Sequence, residues 1–148
     1  MSAVDHEGLA GPDIQFFNNG LYNIDGEGGY PPPNGGISTH TGRTGDRCLF
    51  RAPTLRDVAV TAPYVHDGSL ASLDDVIDHY AAGGRTIESG PFRGVGREHP
   101  NKRSFVNGFE ATPEERADLF AFLRALTDST FLTDPRFADP WLRSRGRQ

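Results

Sequence analysis

The sequence predicts a mostly α domain with long glycine- and proline-rich loops. Three observations carry that reading. Two segments have helix starts followed by apolar positions at helical spacing. No run alternates convincingly enough to be a strand. Glycine (18) and proline (11) fill about a fifth of the 148 residues, against roughly 12% in average usage.

The length suits one domain and is short for two. Only 36% of the residues are hydrophobic, so the core is small. A cofactor, a metal or a partner domain is therefore expected to help hold it together. Lys and Arg total 15 against 20 Asp and Glu, a net charge of −5. A nucleic-acid binder usually shows a strongly basic face, so nucleic acid is not an expected partner. The lone cysteine, Cys48, excludes an internal disulfide and a cysteine-rich zinc site. No apolar run approaches the ~18 residues of a membrane span. The start, MSAVDHEGLAGPD, lacks the basic and apolar regions of a secretory signal.

Residues 1–49 read as loop. Asn18 to Gly36 has no helical or alternating apolar period, and Asp25-Gly26 and Asn34-Gly35 are turn dipeptides. A low-complexity linker is one reading. Phe16, Phe17, Leu21, Tyr22 and Tyr30 favour an ordered loop wrapped on a body. In the next zone, Ala52-Pro53-Thr54-Leu55-Arg56-Asp57 is a candidate short helix with Pro53 near its first turn. Thr61 to Ser69 reads as irregular. Ser72 and Asp75 then form a capping pair. Leu73, Val76, Ile77, Tyr80 and Ala81 make one apolar face, so a helix is expected over 73–82. Gly83-Gly84 ends it, because glycine reaches the left-handed cap conformation cheaply.

Residues 85–111 are glycine-rich again. Thr112-Pro113-Glu114-Glu115 is a full helix start, with a Thr cap, Pro at the first position and Glu at the third. The helix is expected over 113–127, with Leu119, Phe122, Leu123 and Leu126 as its buried stripe. The tail carries Phe131, Phe137 and Trp141 and reads as an extended segment packed by its aromatics, then a frayed basic end.

Taken singly, the candidate chemical residues are ambiguous. His66-Asp67 is a possible metal-ligating pair, but Pro63 and Gly68 flank it and no partners follow at helical spacing. The plainer reading has Asp67 capping a turn and His66 bonding locally. Tyr80 reads first as a core tyrosine, although a phenolate can ligate ferric haem. His79 points about 100° away around the helix and is expected to be solvated. Cys48 is expected to be a buried or incidental thiol. Arg51 and Arg56 are salt-bridge residues or carboxylate partners.

The segment Phe50-Arg51-Ala52-Pro53-Thr54-Leu55-Arg56-Asp57 through Thr61-Ala62-Pro63-Tyr64-Val65-His66-Asp67-Gly68-Ser69 resembles a known pattern. It is similar to the C-terminal haem domain of bacterial di-haem cytochrome c peroxidases and their MauG-like relatives. The resemblance continues through Ser72-Leu73-Asp74-Asp75, Gly83-Gly84 and the Asp118 to Thr127 helix. Asn19-Gly20-Leu21-Tyr22-Asn23 and Asp134-Pro135-Arg136-Phe137 look like the MauG-like branch. Nearly the whole chain is covered.

The resemblance implies a cytochrome-c-like fold and a role in a di-haem oxidoreductase that uses peroxide, with this domain contributing haem ligation and electron transfer. In the peroxidase branch a methionine fourteen residues after the motif histidine is an axial ligand. Counting from His66 reaches Tyr80, and the MauG-like branch uses tyrosine there. The resemblance also implies a calcium held partly by backbone carbonyls at positions matching Thr61 and Pro63. It places His66 near the haem pocket and makes Arg56 a possible haem-propionate partner. It implies haem c, a periplasmic location and a redox partner protein. The chain holds no Cys-x-x-Cys-His, so it is expected to be a partial C-terminal domain, 1–148. Residues 1–49 would be its wrapping loop region, and 50–148 the motif loop and two main helices. The missing haem-bearing segment or N-terminal haem domain is the expected partner. A cofactor-free remnant, or a partner-binding domain without activity, is the other expectation.

Overall fold

The structure is a computed structural model and describes residues 16–138. The expectations for Trp141 and the basic end lie outside the described residues.

Among the described residues there are four α-helices: α1 (Ser38–Thr41), α2 (Leu73–Ala81), α3 (Pro113–Ala125) and α4 (Ser129–Thr133). Two minimal antiparallel ladders accompany them. β1 (Phe16–Phe17) pairs with β2 (Phe50–Arg51), and β3 (Thr86–Ile87) with β4 (Gly94–Val95). Turns and irregular backbone fill most of the remainder.

Both expected helices form, with the starts that their caps dictate. Ser72 Oγ accepts the Asp75 amide while Asp75 accepts the Ser72 amide, and Thr112 and Glu115 do the same for α3. These reciprocal bonds satisfy amides that have no partner within the helix. Gly83 follows α2 with φ +72°, and a Cβ there would stand 2.8 Å from the Asn107 carbonyl carbon. No short helix begins at Pro53. Residues 52–55 are irregular, and a 3-10 turn forms later, at Val58–Val60, after Asp57 adopts a left-handed φ of +59°.

The loop from Asn18 to Tyr30 is the centre of the molecule. Leu21, Tyr22, Tyr30, Cys48 and Leu70 form the buried cluster, with Ile24, Phe50, Tyr64 and Val76 packed against it. Over these residues the loop is ordered and buried, unlike a solvated linker. Its path is set by polar side chains. Asn18 Oδ1 accepts the Gly20 amide at 2.8 Å, and Asn23 Oδ1 accepts the Gly28 amide at 2.8 Å. Buried loop backbone has to find such partners.

The stripe on α3 is a correction. No residue of α3 is buried, and Phe122 is 56% exposed. The helix is held at its ends instead. Arg116 reaches Asp78 at 2.8 Å on α2. The Asp57 amide donates to the Leu126 carbonyl at 3.1 Å, and the Asp128 amide donates to Asp57 at 2.7 Å. The tail departs from the extended segment expected: Phe131 lies on α4, and although its ring meets that of Phe137 with centroids 4.7 Å apart, both residues are exposed. No helix among the described residues is long and apolar enough to cross a membrane.

Candidate functional site

Tyr80 sits near the end of α2. Three and seven residues before it, Ile77 and Leu73 are buried, so Tyr80 shares their helix face. Yet Tyr80 is 38% exposed. The hydrogen bond its hydroxyl makes among the described residues is accepted from the Asn19 side-chain amide at 3.5 Å. The face that is covered at Leu73 and Ile77 is therefore open at Tyr80.

His79 reverses its expectation of being solvated. It is 5% exposed, because the Asn18–Gly20 loop crosses that side of α2 and the Asn19 carbonyl meets its Nε2 at 3.0 Å. The carbonyl is an acceptor, so Nε2 carries the proton. Nδ1 is buried and has no hydrogen-bond partner among the described residues. Burial lowers the His79 pKa below its ordinary 6.5.

Thr61, Pro63 and His66 lie on one irregular stretch. Among the described residues no hydrogen bond reaches the Thr61 or Pro63 carbonyl. His66 lies flat on Phe50, with ring centroids 3.8 Å apart, and burial of its ring lowers its pKa. Asp67 closes a turn on the Ser69 amide at 3.0 Å, as the plainer reading expects. It also accepts the Tyr22 hydroxyl at 2.8 Å, a contact across 45 residues that no local pattern announces. Arg56 is engaged within the chain, its guanidinium 2.5 Å from Asp128 and over the ring of Phe131. Cys48 is buried, and burial pushes its thiol up to about 11.

A groove of about 570 Å³ lies elsewhere, between the Asn23–Gly26 turn and the β3–β4 hairpin. It is lined by Asp25, Glu88, Arg93 and Glu98 among others, and by none of Tyr80, His66, Thr61 and Pro63. Among the described residues no three His, Cys, Asp or Glu side chains gather as a metal site. What the Tyr80 region offers is an exposed phenol oxygen, a hard, anionic-capable donor suited to a ferric ion.

No family model matches the chain. It is 36% identical over 116 residues to methylamine utilization protein MauG of Methylorubrum extorquens, covering 77% of this chain and 27% of that protein. It is 38% identical over 90 residues to the cytochrome-c peroxidase IdrP1 of Denitromonas iodatirespirans, covering 61% of this chain and 20% of the relative. Among solved structures it superposes with a TM-score of 0.84 and 50% identity on a MauG-like protein associated with microbial copper homeostasis, covering 92% of this chain and 39% of that one. The chain thus spans only about a quarter of the length of these curated relatives.

Proposed function

We propose, from the relatedness of this chain to the MauG and cytochrome-c peroxidase proteins, that it forms the haem-ligating, electron-transferring domain of a peroxide-using di-haem oxidoreductase. The observation that carries this reading is the exposure of Tyr80 on the apolar face of α2. A tyrosine on the arc of Leu73 and Ile77 is normally covered. Here its face and oxygen are open. Phe122 on α3 is exposed as well, although α3 is tied to α2 through Arg116. A large planar apolar group is what would cover exposed aromatic residues of this kind.

In this reading Tyr80 Oη would hold the iron of a c-type haem. The group supplies one-electron redox chemistry when bound, and a phenolate donor favours its ferric state. The chain's own contribution is to hold Tyr80. Asn19 places its amide beside the phenol oxygen, and the Asn19 backbone is fixed by buried His79. The thiols and proximal histidine of a Cys-x-x-Cys-His site would come from outside these 148 residues. Arg56 would have to leave Asp128 to meet a propionate. His66 would border the site, and the protein would work in the periplasm with a redox partner protein. The Thr61 and Pro63 carbonyls would serve a calcium ion, for which carbonyl oxygen is a suitable hard ligand.

The test joins this chain to a segment bearing Cys-x-x-Cys-His in a host that matures c-type cytochromes. The absorption spectrum and reduction potential should both change on Tyr80→Phe. Identical spectra and potentials would make Tyr80 a surface tyrosine and remove the ligand assignment.

A further inference from the structure

We propose that Tyr22 and Asp67 form a redox-active tyrosine site, at which one-electron oxidation of this domain comes to rest as a neutral tyrosyl radical. The proposal goes beyond haem ligation and does not depend on Tyr80 being a ligand.

A phenol is hard to oxidise while it keeps its proton, because the product is a strongly acidic radical cation. A base already hydrogen-bonded to the hydroxyl removes that obstacle. Among the four tyrosines, all within the described residues, only Tyr22 donates to a carboxylate. Tyr64 donates to the Val58 carbonyl, a far weaker base. Tyr30 accepts the Leu21 amide, and Tyr80 faces an amide nitrogen. The Tyr22 hydroxyl is 2.8 Å from Asp67 Oδ2, and Tyr22 is 5% exposed. The other Asp67 oxygen is held by the Ser69 amide, so the acceptor is fixed in place. A buried radical is also shielded from quenching by solvent species.

The ring is connected as well as buried. Tyr22 meets Tyr30 edge-on at 5.3 Å and Phe92 at 6.0 Å between centroids. Phe92 is 42% exposed, so an oxidant at the surface comes within one ring of Tyr22. The Arg85 guanidinium stands over the Tyr22 ring at 5.4 Å. That cation disfavours a ring radical cation and favours the route in which the proton leaves with the electron.

The step balances. One electron passes from Tyr22 to a high-potential one-electron oxidant. The Tyr22 O–H bond breaks, its proton bonds to Asp67 Oδ2, and the products are a neutral phenoxyl radical and a neutral carboxylic acid.

The full chain is tested without haem. Photogenerated ruthenium(III) tris-bipyridine serves as oxidant, with transient absorption and freeze-quench electron paramagnetic resonance on ring-deuterated tyrosine as readouts. The wild type should give a tyrosyl radical that forms more slowly in deuterated solvent. Tyr22→Phe keeps the ring and should cut the radical yield at least fivefold. Asp67→Asn should slow its formation at least tenfold. A tryptophanyl signal in place of tyrosyl, a Tyr22→Phe yield within twofold of wild type, or an unchanged rate in Asp67→Asn would overturn the proposal. If Asp67→Asn does not fold, the solvent isotope effect on the wild type decides, and its absence overturns the proposal.

Discussion

The side-chain amide of Asn19 stands 3.5 Å from the Tyr80 hydroxyl, while the backbone carbonyl of the same residue meets His79 Nε2 at 3.0 Å. One loop residue therefore touches two consecutive residues of α2, one exposed and one buried. The two contacts differ in kind. The first is long and exposed and holds little energy. The second ties the central loop to the helix.

Removing the second contact should destabilise the fold. His79→Leu leaves the Asn19 carbonyl without its donor, at a cost of about 1–3 kcal/mol. His79→Gln keeps a donor and should recover part of the loss. Tyr80→Phe should move stability by no more than about 0.5 kcal/mol, as for an exposed site. Urea unfolding of the three variants checks this. Equal stability of His79→Leu and wild type would mean that the bond does not anchor the loop.

Stability should fall as pH drops from 7 towards 5. His66, His79 and His99 all have pKa values lowered by burial from an ordinary 6.5. In that window the unfolded chain binds protons that the folded chain resists, so protonation favours unfolding. The penalty is absent above the unfolded value and complete below the folded ones. The lowered carboxyl of Asp67 acts in a second, more acidic window. Its contribution is present above 3.8 and is lost as pH falls through its folded value. Unfolding free energies measured at pH 5, 6 and 7 should rise in that order, and His79→Gln should flatten the trend.

Gly96→Ala should be severely destabilising, by about 3 kcal/mol or more, as for a forced overpacking. A Cβ there would stand 2.0 Å from the Gly20 carbonyl oxygen, which is backbone and cannot swing aside. Gly45→Ala is the control, because nothing lies within 4 Å of its added Cβ. Thermal melts of both should separate them clearly. Similar melting temperatures would contradict the close approach of these two strands of loop.

Cys48 should be silent towards a thiol reagent at pH 8 in the folded chain and react at once in denaturant. Cys48 is 1% exposed and burial raises its thiol to about 11, so access and thiolate are both lacking. Rapid labelling under native conditions would place Cys48 outside the core.

The sequence by itself determined α2 and α3, because Ser72/Asp75 and Thr112/Glu115 are local signals read over four residues. It also determined the related family, through the uninterrupted motif from Phe50 to Ser69, and the position of Tyr80 on the apolar arc of α2. Tertiary structure alone decided what that arc meets. It buried His79 under the Asn19 carbonyl and left Tyr80 and Phe122 open. It also joined Tyr22 to Asp67 across 45 residues. The difference is physical. A capped helix is specified by neighbours three and four residues apart, whereas the loop from Asn18 to Tyr30 has no period. Its course follows from side-chain hydrogen bonds and close backbone approaches that exist only once the chain has closed on itself.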